Sequence, residues 1–205
     1  MAASVPHVPT VPRGAIIATL VGNTIEFYDF IAYAFFAVYI GKAFFPTNDP
    51  TASLLLSVAT FGLGFLTRPL GAVMIGAYAD RAGRKPALLL TVGLMSLGTL
   101  GLVATPSYAS IGIAAPIILV LSRLAQGFAL GGEVGPANAV LLECAPVKQR
   151  ALYMSLQGAS QGVANMAGGI VGLVVASALT RDQLASWGWR IPFAFVLLLI
   201  PVGVY

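Results

Sequence analysis

The chain has 205 residues, of which 58% are hydrophobic and only 9% charged, with 11 Lys or Arg against 7 Asp or Glu and a formal net charge of +4. A soluble globular domain carries about 25% charged residues, so the composition excludes that class and indicates an integral membrane protein. The basic excess is not a nucleic-acid footprint, because most Lys and Arg residues sit in short loops between apolar runs, where they report membrane orientation.

The N-terminal stretch "MAASVPHVPTVPRG" holds Pro6, Pro9 and Pro12 and the single histidine, His7. It lacks a cationic region followed by a small-residue cleavage site, so residues 1–13 read as a short disordered cytoplasmic tail and not as a cleaved signal peptide. A membrane helix needs about 20 mostly apolar residues. Candidate spans follow at residues 15–40, 52–79, 87–105, 113–143 and 151–179. A sixth begins near Arg190, and its apolar run, 191–205, has 15 residues, so the sequence reads as cut off inside a last helix. With the N-terminus cytoplasmic, one side of the membrane collects Arg13, Arg81, Arg84, Lys85, Lys148 and Arg150 and the other Lys42, Arg181 and Arg190. Six against three puts the N-terminus inside.

Charged residues at membrane depth cost several kcal/mol or are engaged in function. The first span holds Glu26 and Asp29, one helical turn apart on a shared face, with Asn23 a turn earlier and Tyr28 and Tyr33 nearby. Arg68 lies 12 residues before Asp80, roughly 18 Å from the cytoplasmic end of the second span. In the fourth span Arg123 and Glu133 are ten residues apart, about 80° around the axis, a separation that predicts different neighbours. The fifth span shows a polar stripe, Gln157, Gln161 and Asn165, at spacing four, beside Gly158 and Gly162. Gly127, Gly131 and Gly135 of the fourth span are expected close-packing positions. Three acids and two arginines leave one negative charge in excess. Protonating one acid neutralises the set and frees an arginine for an anion. Bland alternatives stand beside this reading: an inert Asp29–Arg123 pair, an Arg68–Glu133 pair, and a Gln157 stripe that only glues helices.

A membrane enzyme would need a nucleophile with its base, or metal ligands, at depth. His7 lies in the tail and the single cysteine, Cys144, at a helix end, so no enzyme, metal site or cofactor is expected.

Between the second and third spans stands "GAYADRAGRKPAL", with Gly76, Asp80, Arg81, Gly83, Arg84 and Lys85. Gly83 permits a tight turn, and Asp80 and Arg84 are placed to make an ion-pair clasp between helix ends. This loop closely resembles the G-x-x-x-D-R-x-G-R-[RK] signature of the major facilitator superfamily. "RLAQG", Arg123 to Gly127 and including Gln126, is similar to its R-x-x-Q-G signature. Glu143, Pro146 and Arg150 resemble its E-x-x-P-x-x-x-R stretch. "GN-x-x-E-x-x-D-F", "RPLG", "QGF-x-x-G-x-E" and "WGWRIPF" look like the metabolite:proton symporters, closest to the citrate and tricarballylate type. The resemblance covers nearly the whole chain but only the first half of a twelve-helix member. The fifth span lacks the proline of the G-P-x-x-G-G motif of drug:proton antiporters, which favours symport.

The resemblance implies an all-α, multi-pass inner-membrane protein. The six-helix N-terminal bundle, residues 14–205, would consist of two inverted three-helix repeats, at about 14–105 and 112–205. It implies proton-coupled symport of an organic acid by alternating access, with the missing C-terminal six-helix half and the lipid bilayer as partners and no nucleic acid. Asp29, Glu26 and Glu133 are then the expected proton-coupling residues. Arg68, Arg123, Asn23, Tyr28, Gln126, Gln157, Gln161 and Asn165 are the expected substrate ligands. Gly76, Asp80, Arg81, Gly83, Arg84, Lys85, Glu143 and Arg150 are the expected gate. A betaine or proline symporter of the same family, or a fragment that does not transport, are the alternatives.

Overall fold

The computed structural model describes residues 13–204. The expected tail with His7 lies outside them, as do the side chains of Arg13, Arg84, Lys85, Glu143 and Cys144. Eight α-helices follow one another among the described residues: α1 (Arg13–Phe44), α2 (Pro50–Ala82), α3 (Arg84–Ala104), α4 (Tyr108–Ile111), α5 (Ala114–Cys144), α6 (Arg150–Ala178), α7 (Arg181–Ser186) and α8 (Ile191–Val204). Five of them contain segments long and apolar enough to cross a membrane: Thr19–Phe44, Pro50–Ala82, Pro86–Ala104, Ala114–Leu142 and Val147–Ala178. The apolar stretch at the start of α8, Gly188–Leu198, is shorter.

Sequence chemistry sets the boundaries. The Asp49 side chain accepts from Thr51 N–H at 2.8 Å and Pro50 opens α2, where its missing N–H costs nothing. Gly83 joins α2 to α3 with φ +96°, a conformation that strains any side chain-bearing residue. Thr180 and Gln183 form a reciprocal capping box that starts α7. The two short helices α4 and α7 leave no hydropathy signal, and the span reading passed over both.

α2 packs chiefly on α5 and α1 on α6; α3 packs on α5 and α1 on α8. Exchanging α1, α2 and α3 with α5, α6 and α8 maps the first pairing onto the second and the third onto the fourth. This is the packing of two inverted three-helix repeats. Small residues make the α2–α5 seam, as in membrane helix pairs generally. A Cβ on Gly127 would run into the Gly64 carbonyl oxygen, and one on Gly131 into the Arg68 carbonyl oxygen. Thr67 Oγ1 crosses the seam to the Leu124 carbonyl at 2.9 Å. Gly135, expected to belong to this row, has nothing within 4 Å of a Cβ. The seam ends one turn earlier than the glycine spacing implied.

The contrast makes a prediction. Gly127→Ala forces two backbones apart and should destabilise the protein by about 1–3 kcal/mol. Gly135→Ala meets open space and should be neutral or stabilising by up to ~1 kcal/mol, because alanine is the better helix former. Thermal unfolding of the detergent-solubilised full-length variants reads both. Equal shifts would contradict the seam.

Candidate functional site at the centre of the bundle

α1 carries the acids and α5 answers them. Asp29 is fully buried and Arg123 nearly so, and Arg123 Nη1 donates to Asp29 Oδ2 at 2.7 Å. The same nitrogen donates to Gln126 Oε1 at 2.7 Å, and Gln126 Nε2 donates to Thr99 Oγ1 of α3 at 2.8 Å. One polar chain therefore ties α1, α5 and α3 together. The Arg123 guanidinium lies over the Tyr33 ring, 4.1 Å from its centroid, and the Tyr33 hydroxyl donates to the Ser57 carbonyl of α2 at 2.9 Å.

This pair is incompletely satisfied. Asp29 Oδ1, Arg123 Nε and Arg123 Nη2 are buried without a hydrogen-bond partner among the described residues. A buried ion pair offsets its desolvation only when its remaining hydrogen-bonding sites are filled. Beside these atoms lies a small cleft, a cavity of about 20 Å³ with roughly the room of one water, lined by Phe30, Phe61, Phe65, Arg68, Arg123 and Gln126, with Gly64, Gly127, Met95 and Leu130. Its exposed lining is mainly apolar, with the two guanidiniums at its wall.

Arg68 borders the same cleft. It stacks over Phe65 at 4.0 Å and Phe30 at 5.1 Å, and its buried Nε has no hydrogen-bond partner among the described residues. The expected alternative, an Arg68–Glu133 pair, is not formed. The Glu133 carboxylate instead sits against Gly22 of α1, where an added Cβ would lie 2.8 Å from Glu133 Oε1. Arg123 and Glu133 thus both address α1, contrary to the 80° separation read from their spacing; their long side chains bridge that offset. Glu26, 6% exposed, makes no hydrogen bond or ion pair among the described residues and is acted on by the charges of Glu133, Arg68 and Asp29.

Asn23 faces α6. Its Nδ2 donates to Ser160 Oγ at 2.6 Å and to the Gln157 carbonyl at 3.2 Å. The residues of α6 buried against the bundle are Ser160, Ala164, Gly168, Gly172 and Val175, so the Gln157, Gln161 and Asn165 stripe flanks this packing row. Gln157 and Gln161 are half-buried and Asn165 exposed, and among the described residues none of their side-chain amides bonds to another helix. Helix glue is supplied by Ser160, which the spacing-four pattern passed over. Tyr28 is buried with its hydroxyl unpartnered.

The expected gate lies far from the cleft, at the helix ends. Asp80 and Arg81 are exposed at the end of α2, Gly76 has open space around it, and Gly83 makes the turn. Arg150 is exposed at the start of α6. The calls on Arg84, Lys85 and Glu143 concern side chains outside the described residues, so the Asp80–Arg84 clasp has no geometry here.

Sequence reasoning left Thr99, Ser57, Phe61 and Phe65 out of the site. Hydroxyls and phenylalanines are ordinary in membrane helices, and only the topology brings these four to the two arginines.

Residues 14–202 match the sequence profile of the sugar (and other) transporter family. The chain belongs to that family of the major facilitator superfamily. It is 42% identical over 200 residues to the citrate-proton symporter of Salmonella typhi, covering 96% of this chain and 46% of that protein. It is 38% identical over 197 residues to the proline/betaine transporter of Salmonella typhimurium, covering 94% of this chain and 39% of that protein. The fold matches that of the E. coli xylose transporter XylE in a partially occluded inward-open structure, with TM-score 0.81 at 16% identity, over 94% of this chain and 48% of that one. The chain spans about half the length of the curated relatives it matches, and those relatives are transporters and not enzymes.

Proposed function

We propose that this chain supplies one six-helix half of a proton-coupled symporter of an organic acid, a di- or tricarboxylate such as citrate, working by alternating access. The observation that carries the reading is the buried Asp29–Arg123 pair with three unfilled hydrogen-bonding atoms beside a cleft that also holds Arg68. While Asp29 is ionised it claims Arg123. Once Asp29 takes a proton, the guanidinium is free for a substrate carboxylate, so proton and anion bind together. The substrates in the names of both relatives, citrate and proline or betaine, carry a carboxylate. Two arginines at the cleft favour the polycarboxylate over the zwitterion.

In this reading Gln126 and Thr99 orient Arg123. Gln157, Gln161 and Asn165 line the path of the substrate, and Asn23 and Tyr28 border it. Glu26 and Glu133 are further proton acceptors. The exposed loop around Asp80, Arg81 and Gly83, with Gly76, Arg84, Lys85, Glu143 and Arg150, gates the cytoplasmic side. The partners are protons, the organic acid, the bilayer and a second six-helix half. The location is the inner membrane, since coupling needs a membrane that holds a proton gradient, and the N-terminus faces the cytoplasm.

Uptake of labelled citrate into proteoliposomes holding the full-length protein, at imposed pH gradients, tests the function. Accumulation driven by an inward proton gradient and abolished by protonophore is expected. Accumulation of betaine without citrate would favour the zwitterion reading. The orientation has its own check: Asn48→Cys, in the loop between α1 and α2, should react with an impermeant thiol reagent added outside. Labelling there only after permeabilisation would reverse the topology.

A further inference from the structure

The two arginines of the cleft are held differently. Arg123 is anchored by an acid, whereas Arg68 makes no ion pair among the described residues although Glu26 is close enough for its charge to act on it. What holds Arg68 is aromatic. Its guanidinium lies over both Phe65 and Phe30, at 4.0 and 5.1 Å from the ring centroids. Those rings pack on each other at 5.9 Å and both pack on Phe61, at 5.5 Å from Phe65 and 5.3 Å from Phe30. Phe61 in turn stacks on Tyr33 at 5.1 Å, the ring under Arg123. One continuous aromatic cluster therefore carries a guanidinium at each end. A flat cation stacked on ring faces keeps its in-plane N–H donors free for other partners, and such contacts strengthen where water is excluded. Salt-bridging to Glu26 would consume those donors.

We propose that Phe65, seconded by Phe30, is a specificity-determining positioning residue: it holds Arg68 off Glu26 as a free second cation, so the cleft selects anions with a second carboxylate. The inference rests on the organic-acid reading above and adds the reason for polycarboxylate selectivity. A monocarboxylate fills the Arg123 end alone and gains nothing from Arg68. A betaine-like zwitterion sets its ammonium group against the Arg68 guanidinium and is penalised.

Competition binding to the purified full-length protein tests it, with citrate, a dicarboxylate and a monocarboxylate of similar size as probes. Phe65→Leu keeps an apolar side chain but removes the ring face. It should weaken citrate and dicarboxylate binding by about three- to fivefold, the scale of a cation–π contact to a ring that is 44% exposed, and leave monocarboxylate binding unchanged. Phe65→Tyr should restore the wild-type ratio. Adding Glu26→Gln to Phe65→Leu should recover part of the loss, because the competing partner is gone. A Phe65→Leu protein that weakens all three probes equally has lost packing alone and overturns the inference. So does one that keeps wild-type affinity for citrate. If the unmodified protein binds no citrate, the organic-acid reading itself fails and this inference falls with it; if it binds citrate and only the Phe65 ratios fail, the organic-acid reading stands.

Discussion

Replacing Arg123 by lysine is expected to weaken substrate binding ten- to a hundred-fold while leaving the protein folded. Lysine keeps the positive charge that Asp29 requires, so the buried carboxylate is not stranded, a situation that costs about 3–5 kcal/mol when one partner is simply removed. What lysine cannot do is serve several partners in a plane. Arg123 Nη1 already holds Asp29 and Gln126, both at 2.7 Å, and Nε and Nη2 remain for a ligand. An ammonium group placed against Asp29 has no second fork for a substrate carboxylate. The loss corresponds to roughly 1–3 kcal/mol of charge-assisted hydrogen bonding. Equilibrium binding of labelled citrate to the full-length protein reads it, with thermal unfolding as the control for folding. Wild-type affinity in Arg123→Lys would remove the guanidinium from the substrate site.

Asp29→Asn should separate binding from coupling. Asparagine is close in shape to the protonated carboxyl and cannot claim Arg123 as an anion, so substrate binding should be retained or improved. The proton that must come off within each cycle has no site in the variant. Uphill accumulation driven by a pH gradient should therefore fall to background, while exchange of internal for external substrate continues, since exchange does not require proton release. Glu26→Gln should do less, because among the described residues Glu26 makes no ion pair whose breaking frees a donor. Measuring accumulation and counterflow side by side decides the point. Normal pH-driven accumulation by Asp29→Asn would return the acid to a purely structural role.

The sequence made the fold class legible because long apolar runs and their loop charges are strong signals, and the helix ends came within a few residues of their caps. The small helices α4 and α7 were invisible, being too short to alter hydropathy. At the site, Asp29, Arg123 and Gln126 could be named because charge and amide at membrane depth are rare. The Asp29–Arg123 pair was among the pairings the sequence offered and is formed, whereas the Arg68–Glu133 pair offered beside it is not, since spacing along one helix fixes direction only roughly and long side chains erase the difference. That is how Glu133 came to lie against Gly22 instead of pairing with Arg68. The aromatic support of both guanidiniums was equally hidden, because phenylalanine in a membrane helix is as commonly turned to lipid.

The glycine seam between α2 and α5 touches the arginines themselves. The carbonyl oxygen of Arg123 lies against Gly64, and that of Arg68 against Gly131. Each cation's own backbone is thus one of the points at which the two helices are in contact, with no flexible side chain between. Bending or sliding either helix against the other would have to break these contacts first. The separation of the two backbones that carry the cations is therefore set by the seam, like the jaws of a fixed gauge, and each guanidinium reaches out from it on its own side chain. In the proposed organic-acid reading, the spacing of a ligand's carboxylates then matters as well as their charge.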